Sequence, residues 1–326
     1  MRIVVWACVA SLAAGGWADA QDAFLHSDSR VSIEPRVTPP PDSGRTPRIR
    51  VDSTLVLINV TVLDPLNRLV TGLEREHFRL FEDHVEQEIE NCSMSDAPAS
   101  VGLVFDVSGS MKEKLGRARQ AAAAFLQTAN PRDEFFLVIF SDRAKLAAPC
   151  GGSPEEILNR LAFTSAKGRT ALLDAVYLAL DQMRSARHPR KALLVLSDGA
   201  DNSSRYSAGE VRKLVRESDV QIYSIGIFES FAVRGRTPEE IAGPGLLAGL
   251  AQETGGRDFE VRNISELPDI AAKIGNELRN QYELAYRPSN GKRDGRYRRV
   301  QVKLTQPRGL PDLRLHWRTG YYAPAW

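Results

Sequence analysis

The sequence predicts an α/β fold, with a doubly wound, mostly parallel sheet inserted in a small β-sandwich formed by the flanking segments. Between residues 98 and 280, short runs of consecutive apolar residues alternate with amphipathic stretches that begin with helix-start signals. Such runs are typical of parallel strands that helices cover on both faces. The segments on either side, 49–97 and 281–326, show strand patterns only. The two kinds of pattern together predict the inserted arrangement.

Residues 1–20 have the three parts of a secretory signal peptide. Arg2 supplies a positive start, an apolar run follows from Ile3 to Ala14, and Ala18-Asp19-Ala20 is a typical cleavage site. The apolar run is too short to span a membrane as a helix, and no later segment is long and apolar enough. We therefore expect a mature chain that is secreted or periplasmic, without a transmembrane segment.

The next segments are predicted from composition and alternation. Residues 21–48 contain five prolines and few apolar residues, which predicts a disordered or extended arm. Residues 55–63 alternate between two faces as a β-strand does, and residues 297–304 have β character as well. Neither flanking segment has enough strands for a core of its own. Each has one apolar face to cover, so we expect 49–97 and 281–326 to pair in one sandwich.

The central region, 98–280, supplies the predicted parallel sheet. Its buried-strand candidates are Val101–Phe105, Phe135–Phe140, Ala192–Leu196 and Ile222–Ile227. Helix starts are marked by Ser153-Pro154 and by Ser207 with Glu210, a capping box. The first helix is expected to run from Met111 to about Ala129.

Charge and cysteine content exclude some classes of function. The formal net charge is +2, which argues against nucleic acid as a partner, and the basic cluster between residues 287 and 299 is interpreted as a solvated hairpin. After the signal peptide only Cys92 and Cys150 remain. An exported protein can oxidise them to a disulfide, but the sequence does not decide whether they are close enough.

The chain's most informative stretch follows the first buried strand. That strand ends at Asp106, and the hydroxyls of Ser108 and Ser110 follow at alternate positions. Oxygen ligands in a tight loop are what hard cations prefer. Another explanation stays open at this stage: Ser110 with Glu113 fits a capping box, and Ser108 fits a helix cap.

Two other loops place oxygens at the same edge of the predicted sheet. Asp198 follows the strand Ala192–Leu196, and Thr170 precedes a helix after the loop 166–169. Ligands of open α/β sheets bind at the carboxyl ends of the strands. We therefore predict one metal site made of Asp106, Ser108, Ser110, Thr170 and Asp198.

These residues resemble the metal-ion-dependent adhesion site (MIDAS) of von Willebrand factor type A (VWA) domains, including the inserted domains of integrins. Asp106, Ser108 and Ser110 match its first loop, Thr170 its second and Asp198 its third. Arg169 replaces the small residue often found before that threonine. The resemblance implies Mg²⁺, or else Mn²⁺ or Ca²⁺, with a ligand position completed by an Asp or Glu of a protein partner. Motifs in both flanks, Val70–Leu73 and Arg318–Tyr322, resemble the VWFA-related family of secreted bacterial proteins.

The predicted function is metal-dependent protein–protein interaction or adhesion, without catalysis. One alternative is a structural module with a vacant metal site. A Mg²⁺-dependent hydrolase is a weaker one, because the second acid of an Asp-x-Asp phosphatase is replaced by Ser108 and the Gly-x-Ser-x-Gly pattern of serine hydrolases is not matched.

Overall fold

The computed structural model describes residues 55–94, 96–228, 238–305, 309 and 311–325, which belong to one compact unit. The predicted signal peptide (1–20) and the predicted arm (21–48) lie outside the described residues. The described residues form three sheets and six α-helices. The division into domains at residues 48, 97 and 280 stays a prediction.

Four strands precede the central region. They are β1 (Val56–Leu63), β2 (Phe78–Glu82), β3 (Val85–Gln87) and β4 (Ile89–Met94). In β1, Ile58, Val60 and Val62 are buried on one face as predicted, but the other face is also covered at Thr61 and Leu63, so the burial alternates only in the first half of the strand.

The central region contains a six-stranded sheet. Its strands are β5 (Ala99–Asp106), β6 (Glu134–Phe140), β7 (Ala144–Gly152), β8 (Arg190–Ser197), β9 (Val220–Ile227) and β10 (Asp258–Val261). The strand order is β10-β9-β8-β5-β6-β7, and every neighbouring pair is parallel except β6 with β7. The predicted doubly wound sheet is confirmed, and β7 and β10 extend it beyond the four predicted strands.

Helices cover both faces of this sheet. They are α1 (Leu115–Leu126), α2 (Pro154–Ala162), α3 (Leu172–Gln182), α4 (Ala208–Glu217), α5 (Pro238–Glu253) and α6 (Leu267–Arg279). One apolar core joins α1, α2 and α6 to the sheet, and a second joins α3, α4 and α5 to its other face. The predicted caps are confirmed: Ser153 Oγ accepts from the Glu156 amide, and Ser207 forms a capping box with Glu210.

The first helix begins later than predicted. A single 3₁₀ turn covers Gly109–Met111, and α1 starts only at Leu115. The preceding loop is held by a neighbouring loop instead, because the Gly109 amide donates to the Gly168 carbonyl at 2.9 Å. This contact is long-range, so local sequence did not reveal it.

The flanking segments form the predicted β-sandwich. The later strands are β11 (Tyr282–Tyr286), β12 (Tyr297–Leu304), β13 (Arg314–Trp317) and β14 (Gly320–Tyr322). One sheet has the order β13-β1-β11-β4 and the other β14-β12-β2-β3, so each combines strands from both flanks. A shared apolar core lies between the sheets, with the rings of Phe78 and Tyr282 5.1 Å apart.

A buried polar contact joins the sandwich to the central sheet. The side-chain amide nitrogen of Gln281 lies 3.0 Å from Thr61 Oγ1, 3.0 Å from Gln221 Oε1 and 3.1 Å from the Tyr223 hydroxyl. Thr61 belongs to β1, and Gln221 lies at the start of β9. The sandwich therefore packs near the amino ends of the parallel strands, which leaves their carboxyl ends to the candidate site.

Cys92 and Cys150 are free thiols in the structure. Cys92 packs against the sandwich core, and Cys150 packs against the core that contains α3, α4 and α5. Burial raises the pKa of both thiols. The two cysteines therefore pack in different cores and do not form a disulfide in this structure.

Candidate metal centre

Three loops meet at the carboxyl end of the central sheet. The loop after β5 is tied to the loop before α3, because the Lys167 amide donates to the Val107 carbonyl at 2.8 Å. The loop after β8 is tied to the same segment, because the Ser203 amide donates to the Thr170 carbonyl at 3.0 Å. These backbone bonds bring together the loops that carry all five predicted site residues.

Asp106 is the most deeply buried member of the predicted set, with 0% of its surface exposed. One carboxylate oxygen accepts from the Ser108 amide at 2.8 Å, and the other accepts from Ser197 Oγ at 2.6 Å. Ser197 Oγ in turn accepts from the Gly199 amide at 3.0 Å. The carboxylate is therefore held in one orientation by both neighbouring loops.

Ser108 and Ser110 lie side by side, with their hydroxyl oxygens 3.1 Å apart. Neither acts as the helix cap that the alternative explanation requires. The 3₁₀ turn after Ser108 and the helix after Lys114 both begin without a side-chain cap hydrogen bond. Local helix capping therefore does not account for the two hydroxyls.

Thr170 is buried at the mouth of α3. Its amide donates to Asn202 Oδ1 at 2.9 Å, and Asp142 Oδ1 accepts from the Arg169 amide at 2.8 Å. Gly168, just before, has a φ of +82°, and a Cβ on it would come within 2.4 Å of Asp142. Glycine is needed there because both the backbone conformation and the close approach exclude a side chain.

Asp198 is nearly buried beside Asp106, and Lys114 is a cationic neighbour. Lys114 Nζ lies 3.8 Å from Asp198 Oδ2, and the same ammonium donates to the Ile227 carbonyl at 3.4 Å. The other carboxylate oxygen, Oδ1, is buried without a hydrogen-bond partner. Buried polar atoms are normally paired, so this oxygen marks a place where a ligand is expected.

The electrostatics of the site oppose two free carboxylates. Burial, and next the negative charge of Asp198, raise the pKa of Asp106 to about 6, although the hydrogen bonds from Ser108 and Ser197 oppose the shift. A buried carboxylate with a like-charged neighbour resists ionisation unless a cation compensates it. A divalent cation would supply that compensation.

The donor set suits a hard cation. It offers two carboxylates and three hydroxyls, all oxygen, as Mg²⁺ and Ca²⁺ prefer. Among the described residues, no group of three or more His, Cys, Asp and Glu side chains is arranged to hold a metal. A site of the predicted kind does not need one, because hydroxyls supply its remaining protein ligands. The residues present therefore fit a divalent cation.

Sequence reasoning missed four residues that shape the site. They are Lys114, Asp142, Ser197 and Asn202. Ser197 was within reach of sequence reasoning, because it immediately precedes Asp198. The other three act across loops, and no local pattern marks them.

The fold is a doubly wound α/β domain, and its candidate ligand site lies at the carboxyl ends of the parallel strands. Residues 101–200 match the sequence model of the von Willebrand factor type A domain. The chain therefore contains a region similar to the VWA-domain family. The match begins within β5 and ends at Ala200, just after β8, and so includes all five predicted site residues.

Two curated proteins resemble part of the chain. An uncharacterized protein of Borreliella burgdorferi is 25% identical over an alignment of 188 residues, and the match covers 51% of this chain and 55% of that protein. Human inter-alpha-trypsin inhibitor heavy chain H4 is 26% identical over an alignment of 219 residues, and the match covers 60% of this chain and 22% of the human protein. The matched part thus spans about half of the first relative and a fifth of the second.

Solved structures with a similar arrangement share little sequence with the chain. A von Willebrand factor type A protein from Catenulispora acidiphila is 13% identical, with 83% of this chain and 75% of that one covered and a TM-score of 0.46. Proximal thread matrix protein 1 from the mussel byssus, solved with a zinc-occupied MIDAS motif, is 20% identical, with 60% and 49% covered and a TM-score of 0.46.

Proposed function

We propose that this protein is an exported VWA module for metal-ion-dependent protein–protein interaction or adhesion. The family match supports a general interaction role, since VWA domains are mostly interaction modules without catalysis. Among the described residues, no helix has the length and apolar content needed to cross a membrane. Export through the signal peptide at residues 1–20 is part of the proposal.

One observation carries the metal dependence. Asp106 and Asp198 are brought together at the sheet edge, and Asp198 Oδ1 is buried without a hydrogen-bond partner. Asp106, Ser108, Ser110, Thr170 and Asp198 would hold the cation, which we take to be Mg²⁺, or else Mn²⁺ or Ca²⁺. When bound, it would supply Lewis acidity toward an incoming oxygen.

The partner's contribution follows from charge. Two carboxylates neutralise a divalent cation without excess, and the three hydroxyls add no charge. An additional anionic oxygen is therefore tolerated, and an Asp or Glu side chain of a protein partner provides one. Ser110 is exposed at the mouth of the site, which gives such a side chain a route of approach.

A second candidate is a structural module with a vacant metal site, and Lys114 favours it. Its ammonium is nearly buried and lies 3.8 Å from Asp198, so it already compensates part of the negative charge. If that compensation suffices, the site holds no cation. Lys114 does not reach Asp198 Oδ1, however, and this leaves the metal-binding proposal ahead.

The test is affinity capture from the secreted fraction of the source organism. Immobilised wild-type protein is compared in Mg²⁺ and in EDTA, with Asp106→Ala as a matched bait. We expect a partner that is retained in Mg²⁺, released by EDTA and not retained by Asp106→Ala. Identical sets of captured proteins in all three conditions would contradict metal-dependent binding.

A further inference from the structure

A groove opens directly beside the candidate metal centre. It lies between β7 and the end of α2, has a volume of about 570 Å³, and is lined by residues that include Val107, Lys145, Leu146, Phe163 and Lys167. We call it the β7–α2 groove. Nothing in the metal-site chemistry described above uses these side chains.

The groove is positively charged. Its lining includes Arg143, Lys145, Arg160 and Lys167, and none of its lining residues is acidic. Arg160 pairs with Glu156 at 3.6 Å, while the other three are exposed and form no ion pair among the described residues. Exposed cations in a lining that contains no acidic residue attract an anionic partner.

The groove also presents apolar surface. Phe163 is 92% exposed at the C-terminal end of α2, although large aromatic side chains are usually buried. Ile139, Leu146 and Ala147 contribute aliphatic wall nearby. A purely ionic ligand would gain nothing from these groups, whereas a peptide with an apolar side chain would.

The groove is continuous with the candidate metal centre. Val107 lines it, and Val107 stands between two predicted ligands, Asp106 and Ser108. The Val107 carbonyl accepts from the Lys167 amide, and Lys167 is also a lining residue. A partner segment whose carboxylate reaches the metal centre therefore passes into the groove with its neighbouring residues.

We propose that the β7–α2 groove binds an acidic segment of a protein partner, with further carboxylates against Lys145 and Lys167 and an apolar side chain against Phe163. This inference deepens the proposed function and rests on it for the anchoring carboxylate. The segment's charge is set by the basic lining, and the exposed phenyl ring favours a peptide over a polyanionic polysaccharide.

The test uses fluorescence polarisation with a labelled synthetic peptide in which Asp and Glu alternate with Leu. Lys145→Glu and Phe163→Ser are each expected to weaken binding by about tenfold. Matched controls are Lys213→Glu, an exposed lysine on α4, and Leu66→Ser, a 71% exposed residue in the sandwich. Both controls should stay within about twofold of wild type.

Three outcomes would overturn the groove proposal. The peptide fails to bind wild type; or the groove variants bind like their controls; or heparin displaces the peptide and Phe163→Ser has no effect, which indicates a polyanion surface. A peptide with Asn and Gln in place of the acids, and Ala in place of Leu, should not bind.

A further experiment distinguishes failure of the metal proposal from failure of the groove proposal. Calorimetric titration of Lys145→Glu and Phe163→Ser with Mg²⁺ should match wild type, because neither side chain belongs to the predicted ligand set. If wild type binds no cation, the groove is judged by peptide binding in EDTA. If the peptide still binds in EDTA and both variants weaken that binding, the groove proposal is supported. If the peptide does not bind in EDTA, the groove proposal is wrong.

Discussion

Buried carboxylates in the sandwich and at the mouth of the central sheet have opposite surroundings. Glu82 in the sandwich is 3% exposed and receives hydrogen bonds from Arg298 at 3.1 Å and from the hydroxyls of Tyr286 and Tyr321 at 2.8 Å. Asp106 at the sheet mouth faces another carboxylate, Asp198, and its polar contacts come from neutral donors. Glu82 pairs with the Arg298 cation, whereas no described side chain forms an ion pair with Asp106.

The difference indicates which carboxylate supports the fold and which is kept for a ligand. Arg298 is as buried as Glu82 and also donates to the backbone carbonyls of Asn290 and Lys292. That network fixes the β12 side of the sandwich. A carboxylate paired in this way contributes to structure, whereas a pair of like charges contributes little stability until a cation arrives.

The largest expected effect comes from breaking the sandwich pair. Arg298→Met should lower the free energy of unfolding by about 3–5 kcal/mol, because it leaves the Glu82 charge buried without its cation. Urea denaturation followed by circular dichroism measures it. Arg299→Met, the exposed neighbour on the same strand, is the control and should change stability by less than about 0.5 kcal/mol. Equal losses would mean that burial of the pair is unimportant.

The second-largest effect is expected from adding a cation, which should bind at Asp106 and not at Glu82. Mg²⁺ at about a hundred times its dissociation constant should stabilise wild type by about 2.7 kcal/mol. Asp106→Asn, which keeps the shape of the side chain, should lose this gain. Arg298→Met should keep it, because the sandwich lies at the other end of the sheet. Thermal melts with and without Mg²⁺ measure it, and an equal gain in Asp106→Asn would contradict the comparison.

Acid should affect the sandwich through His316. Burial and the positive charges of Arg257 and Arg314 lower the pKa of His316 to about 4, whereas an unfolded histidine titrates near 6.5. The unfolded chain therefore binds a proton first as pH falls, and stability is lost between about pH 6.5 and 4. His316→Gln should reduce this loss by on the order of 1–2 kcal/mol. Urea denaturation at pH 6.5 and pH 4 measures this loss in both proteins. Equal losses in wild type and His316→Gln would show that His316 is not the cause.

The smallest effect on stability is expected at Ser110. Ser110→Ala should cost less than about 0.5 kcal/mol in metal-free protein, because no cap hydrogen bond is lost. Ser207→Ala, which removes an observed cap, should cost about 1 kcal/mol. Ser110→Ala should nevertheless weaken Mg²⁺ binding, and Ser207→Ala should not. Chemical denaturation and calorimetry on both variants give the comparison; equal stability losses would restore the cap explanation.

Sequence patterns predicted the parts of the fold that depend on local chemistry. Continuous apolar runs identified β5, β6, β8 and β9, and incomplete strand sets predicted that the flanks would pair. β7 was missed because Ala144–Gly152 contains Pro149, Cys150 and two glycines and lacks an apolar run. Its strand conformation comes from pairing with β6, which a local pattern does not record.

The candidate site likewise contains some residues that local motifs mark and others that only tertiary contacts place. Its five predicted oxygen ligands are marked by short motifs, and their role in metal binding stays a prediction. Lys114, however, lies just before α1 and reaches the loop after β8, where its Nζ is 3.8 Å from Asp198 Oδ2. Contacts between loops place Asp142 and Asn202. Such residues follow from tertiary structure and were beyond sequence reasoning.

Calorimetric titration of the mature protein with Mg²⁺ and Mn²⁺ tests the central claim most directly. We predict a single bound cation for wild type and no measurable binding for Asp106→Ala or Asp198→Ala, since each removes one of the two compensating charges. Glu82→Gln should bind as wild type does, because its carboxylate belongs to the sandwich. Equal binding by wild type and both aspartate variants, or none by any of them, would contradict the assignment of the site.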